Sequence, residues 1–116
     1  MSDRELLELA AKAMGWSIPD DYRWNVERGC FMYVRHGCSI RQDWNPLEDD
    51  GDALRLAVNL GIDWQHDGFT SRHVVAVADD CCYEEPYGED KCAALRRAIV
   101  RAAAGGAPNM PTKEVP

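Results

Sequence analysis

The stretch His73-Val74-Val75-Ala76-Val77-Ala78 decides how the chain is read. A strand covered on one side alternates apolar and polar residues, whereas an unbroken apolar run marks a strand covered on both. Val74 to Ala78 is such a run, so it predicts a central strand with packing on each face. Asp79-Asp80 ends it, and Cys81-Cys82-Tyr83 reads as an extension or a short further strand. On the other side, Ile62, Trp64 and His66 alternate with Asp63, Gln65 and Asp67, the period of a strand. Asp67-Gly68 is a turn signal, with the loop running to Ser71, and joins the two strands as a hairpin.

Helices flank this hairpin. Before it, Asp49 or Asp50 caps a helix in which Leu54, Ala57, Val58 and Gly61 recur at helical spacing. Ala53, Leu56 and Leu60 widen its apolar face, acids in the first turn suit the positive end of the helix dipole, and Gly61 reads as a stop. After the hairpin and a loop at Pro86-Tyr87-Gly88, a helix is predicted from Asp90 to Ala104. Its expected buried stripe is Cys92, Leu95, Ile99, Ala102 and Ala103, with Arg96, Arg97 and Arg101 on the outside.

Further upstream, Ser2 and Glu5 match a capping box at the start of a helix over Asp3 to Met14, striped with Leu6, Leu9, Ala10 and Ala13 and stopped by Gly15. Pro19-Asp20-Asp21 is a turn. Tyr22, Trp24 and Val26 then alternate with Arg23, Asn25 and Glu27 in a strand, Arg28-Gly29 turns, and Phe31 to Arg35 returns. His36 to Ser39 ends that hairpin, and 39–47 reads as irregular.

The predicted order is α-ββ-α-ββ-α, an α+β fold in which helices pack on a small antiparallel sheet. Double burial of the central strand favours a three-layer sandwich, with all helices on one face as the two-layer alternative. One domain is expected over 1–105, because 116 residues leave no room for a second independent core. The segment 106–116 holds three Pro and little apolar mass, and is expected to be a disordered tail.

Three stretches carry a resemblance. Trp44-Asn45-Pro46-Leu47-Glu48-Asp49-Asp50-Gly51-Asp52-Ala53-Leu54-Arg55-Leu56-Ala57-Val58 resembles a segment of small uncharacterised tailed-phage and prophage proteins, the group described as phage α-β-α sandwich domains. Ala93 to Ala103 is similar to their C-terminal helix, and Asp3 to Ala10 to their N-terminal segment. The resemblance implies a phage origin, hence the cytoplasm of a host cell, and a sandwich fold. It carries over no catalytic residues.

Composition narrows the function classes. With 13 Lys and Arg against 20 Asp and Glu the net charge is −7, which disfavours non-specific nucleic-acid binding. No apolar run approaches ~20 residues, so no membrane partner is expected. Met1-Ser2-Asp3-Arg4-Glu5 lacks the basic-then-apolar order of a signal peptide, and a cytoplasmic location is expected. Five cysteines are an odd number for a disulfide framework and read as reduced thiols. Cys30 and Cys38 are too far apart, and Cys81 and Cys82 too close, for a zinc knuckle with His36, His66 or His73. Asp49, Asp50 and Asp52 fail the calcium-loop pattern because Leu47 takes a required oxygen position, and they suit helix capping. Cys38 or Cys82 with His66 or His73 has no surrounding signature of a nucleophile, and there is no phosphate loop, dinucleotide turn or nucleophile elbow. No catalytic residue, metal ligand or cofactor site is assigned, and the chain is expected not to be an enzyme.

The candidate site is an acidic segment. Asp79, Asp80, Glu84, Glu85, Glu89 and Asp90 surround Tyr83 and Tyr87 with no Lys or Arg before Lys91. Carboxylates around exposed aromatics suit a basic groove on a partner protein. By analogy with phage proteins that mimic nucleic-acid charge, the partner is a host or phage protein and the activity anti-CRISPR or other anti-defence inhibition. The alternatives are a Cys/His metal protein, or a nucleic-acid-binding accessory protein using Arg96, Arg97 and Arg101 with Arg55. Trp24 and Trp64 are expected in the core, and Trp16 or Trp44 at an interface.

Overall fold

A computed structural model describes residues 2–16, 22–33, 42–66, 72–79 and 81–105. The expected turns at 36–39 and 67–71 and the tail at 106–116 lie outside them. The order is α1 (Asp3–Ala13), β1 (Tyr22–Asn25), β2 (Cys30–Tyr33), β3 (Gln42–Trp44), α2 (Asp50–Leu60), β4 (Asp63–His66), β5 (His73–Ala78), β6 (Cys81–Pro86) and α3 (Lys91–Gly105). The α+β class follows, but the strands form two antiparallel sheets, β1-β2-β3 and β4-β5-β6, where one small sheet was expected.

The first sheet gains a strand that was not expected, and in the second the short strand read as one alternative at Cys81-Cys82-Tyr83 is longer. Gln42–Trp44, within the stretch read as irregular, pairs with β2 through Phe31↔Trp44 and Met32↔Asp43. With only three residues it is too short for period-two alternation to show. Cys81–Pro86 is a full strand paired along β5 from Ala78↔Cys81 to His73↔Pro86. This register leaves two residues in the β5–β6 turn, and Asp79 takes φ 55°, the left-handed conformation that Asp tolerates in tight hairpin turns.

Helix ends follow the sequence signals. Ser2 Oγ accepts from Glu5 N at 3.2 Å while Ser2 N donates to Glu5 Oε1 at 2.9 Å, completing the capping box. The Ser2 backbone N–H, and after it the Ser2 side chain, hold the Glu5 carboxyl below its ordinary pKa. Asp49 caps α2 by accepting from Asp52 N, and Gly61 ends it at φ 68°. Asp90 Oδ1 accepts from Ala93 N at the start of α3.

Packing centres on α3. α1 and α2 pack on it, as do β5 and β6. Ala94, Ala98, Ile99, Val100, Ala102, Ala103 and Ala104 are all buried, so burial runs well round the helix instead of following one stripe. The expected stripe is corrected at Cys92, which is exposed, and at Leu95, which is half-buried. Short alanine side chains let neighbouring helices and a sheet approach the axis closely. On β5, Val74 and Ala76 face α3 and are buried, while Val75 and Val77 on the opposite face are half-buried. The double burial expected for this strand is thus complete on one face only.

On α2 the buried residues are Asp52, Ala53, Leu56 and Ala57, while Leu54 and Val58 are exposed. Leu56 is fully buried, and Leu56→Ala should destabilise the fold by about 2–5 kcal/mol, the range for emptying a packed core site. Leu54→Ala, two residues earlier and 51% exposed, should change stability by less than about 0.5 kcal/mol. Urea denaturation of the two variants checks both values.

Candidate binding surface

β6 divides the acidic segment between two environments. Side chains alternate along a strand, so Tyr83 and Glu85 lie on the face that meets α3, and Glu84 lies on the other. Glu85 pairs with the Arg101 guanidinium, which also donates to the Glu84 carbonyl at 2.9 Å and lies 5.7 Å from the Tyr83 ring centroid. Tyr83 is half-buried, and burial pushes its hydroxyl pKa up. Tyr87 is buried at 7% exposure, its ring 5.5 Å from that of His66 and beneath the Lys91 ammonium. The two tyrosines are therefore not the exposed aromatics that the sequence pattern suggested. Asp79, Glu84, Glu89 and Asp90 remain exposed, and Asp80 lies outside the described residues. A sequence run of acids reads as one patch, but the strand period sends Glu85 inward.

The basic residues of α3 are engaged within the molecule. Arg96 donates to the Leu47 carbonyl at 2.9 Å and to Asp50 Oδ1 at 2.6 Å. Arg97 reaches Asp3 on α1 at 3.0 Å, and Arg101 holds Glu85. Arg55 pairs with Asp52 at 2.7 Å. Each of the four arginines proposed for nucleic acid thus has a carboxylate partner. Arg96, expected on the outside, keeps only 14% of its side chain exposed.

A polar groove of about 640 Å³ opens beside β3, lined by Arg28, Cys30, Asp43, Asn45, Asp52 and Arg55 among others. Asp52 is the buried charge of its wall: Oδ2 accepts from Asn45 N at 2.9 Å and Oδ1 from Arg55. Arg28 pairs with Asp43 across the sheet at 2.7 Å. The Cys30 thiol is buried, and burial first, then the Asp43 charge, pushes its pKa up, which disfavours the nucleophilic thiolate. Beyond Asp43 and Asp52, Trp16 stacks on Tyr22 at 3.9 Å and meets Trp44 edge-on at 4.8 Å. Trp44 is buried, which takes it away from the interface position expected of it, and Trp16 is half-buried and packs against the core.

The exposed tryptophan is Trp64, expected in the core but 40% exposed. Its pairing with Ala76 places it on the covered face of its sheet, as the alternation predicts. α3 packs on β5 and β6, however, and leaves the edge strand on the other side, β4, exposed along its length. Among the described residues, no group of three or more His, Cys, Asp or Glu side chains converges on a possible metal position, and His36 and Cys38 lie outside them. Among the same residues no helix is long and apolar enough to cross a membrane. Comparison of the chain with protein-family models, curated proteins and solved structures gives no match in any of the three.

Two outcomes test this geometry. Asp52→Ala leaves the Asn45 N–H without its partner and should cost about 1–3 kcal/mol, with Asp52→Asn costing less because one acceptor remains; urea midpoints read the difference. In the folded protein iodoacetamide should modify exposed Cys81, Cys82 and Cys92 while sparing Cys30 until denaturant is added, as followed by peptide mass spectrometry.

Proposed function

We propose that this chain is a non-enzymatic accessory protein that binds a partner protein through its acidic surface. The observation carrying the proposal is the charge balance at the surface. Arg28, Arg55, Arg96, Arg97 and Arg101 are each paired with a carboxylate of the same chain. Exposed Asp79, Glu84, Glu89 and Asp90 then carry much of the −7 surplus toward solvent along the length of β6 and the approach to α3. Such a field favours a basic partner surface and steers its approach. The resemblance to tailed-phage proteins supports a host or phage target, and an anti-defence role acting on a nucleic-acid-binding complex suits the charge. The same ion pairs weigh against the alternative in which Arg55, Arg96, Arg97 and Arg101 bind nucleic acid, since each would have to exchange its internal partner for a phosphate.

Affinity capture from host lysate with the wild type and with a combined Asp79→Lys and Glu84→Lys variant tests this. Glu85 is left intact because its carboxylate holds Arg101. The wild type should retain a basic protein at low salt and release it as screening shortens the interaction range to about 8 Å near physiological salt and below that at higher salt. The variant should lose it at every salt. Retention of the same protein by the folded variant would overturn the proposal.

A further inference from the structure

An apolar groove of about 210 Å³ runs between α2 and α3 beside Trp64, away from the exposed acids of β6. Leu54 on α2 lines it and is 51% exposed, and Val58, four residues on along the same helix and 70% exposed, continues the apolar stripe beyond the groove lining. Cys92, Leu95 and Ile99 follow at helical spacing on α3, with Ile99 buried in the floor. These stripes extend about 10 Å along α3 at 1.5 Å per residue, roughly two helical turns. Below the ~300–1,000 Å³ usual for small-molecule sites, the volume suits a single large side chain, as in helix-in-groove recognition.

The rim charge identifies the occupant. Asp50 pairs with Arg96, but Asp50 is 73% exposed and Arg96 only 14%, so the pair turns its carboxylate outward. Glu89 and Asp90, both exposed, immediately precede Lys91 and Cys92 at the start of α3. A second copy would bring the same acids and another −7 against this rim. From the apolar stripes and the acidic rim together, we infer that the groove docks a basic amphipathic helix of the partner protein, an apolar side chain entering beside Trp64 and Lys or Arg meeting Asp50 and the acids before α3. This inference rests on the protein-binding role proposed above and gives it a second contact surface.

The test uses the full chain and a synthetic helix of about five turns, with Leu at i, i+3, i+4 and i+7 and Lys elsewhere. Controls are a scrambled peptide and one with Glu in place of Lys. The basic amphipathic peptide should shift the Trp64 indole and the Leu54 and Leu95 methyl resonances saturably, and the controls should not. Leu54→Glu, at an exposed position, should weaken binding at least ~10-fold with the fold intact, and Val58→Glu should do so in parallel. Absence of saturable shifts at these residues, or equal shifts with the scrambled peptide, would overturn the inference. So would a dimer in sedimentation equilibrium that Leu54→Glu dissociates, since the occupant would then be a second copy. If Leu54→Glu retains the captured protein while the Asp79→Lys, Glu84→Lys variant loses it, the groove assignment falls and the acidic surface stands; the reverse pattern upholds the groove and removes the acidic surface.

Discussion

The structure depends on α3 being packed by α1, α2, β5 and β6 at once. A helix so enclosed cannot present a long polar face to water, yet this one carries Arg96, Arg97 and Arg101. At about 100° per residue Arg96 leaves the axis on a different side from Arg97 and Arg101, which stand four residues apart on one face. Each finds a carboxylate on a different neighbour: Asp50 on α2, Asp3 on α1 and Glu85 on β6. Exposed ion pairs add at most about 1 kcal/mol each, so apolar packing against the alanines supplies the stability. The arginines satisfy charge where the helix emerges.

This arrangement has a consequence for the surface. Arg96 is turned inward, and the other paired arginines, though partly exposed, already hold a carboxylate of the same chain. The net charge of −7 remains for solvent to meet, and the exposed apolar residues Leu54 and Trp64 line the gap between α2, α3 and β4. Asp52 contributes differently. Buried and doubly hydrogen-bonded, it joins the backbone after β3 to the first turn of α2 and so fixes how the first sheet leads into the helices.

Much of the fold was legible from local pattern. The capping box at Ser2 and Glu5, the Asp49 cap and the Gly61 stop are interactions within a few residues, and the structure contains each of them. The candidate site was legible only as a list of acids. Glu85 and Tyr87 are spaced in sequence like their exposed neighbours, and what covers them comes from α3 and from residues distant in the chain. Leu54 and Val58 did carry a signal: α2 has more apolar residues than one face needs. Periodicity shows that such residues share a face, but cannot tell which face a neighbour will cover.

Chain chemistry by itself therefore determined the α+β class, the sites of helix initiation and termination, and the excess of negative charge. These rest on short-range hydrogen bonds, steric periods and a sum over residues. Only the tertiary structure decided that the strands divide into two sheets, that Trp44 is buried while Trp64 is exposed, and that Arg96 is spent inside the molecule. The physical reason is that burial and ion pairing belong to pairs of distant surfaces, and neither surface encodes its partner in its own sequence.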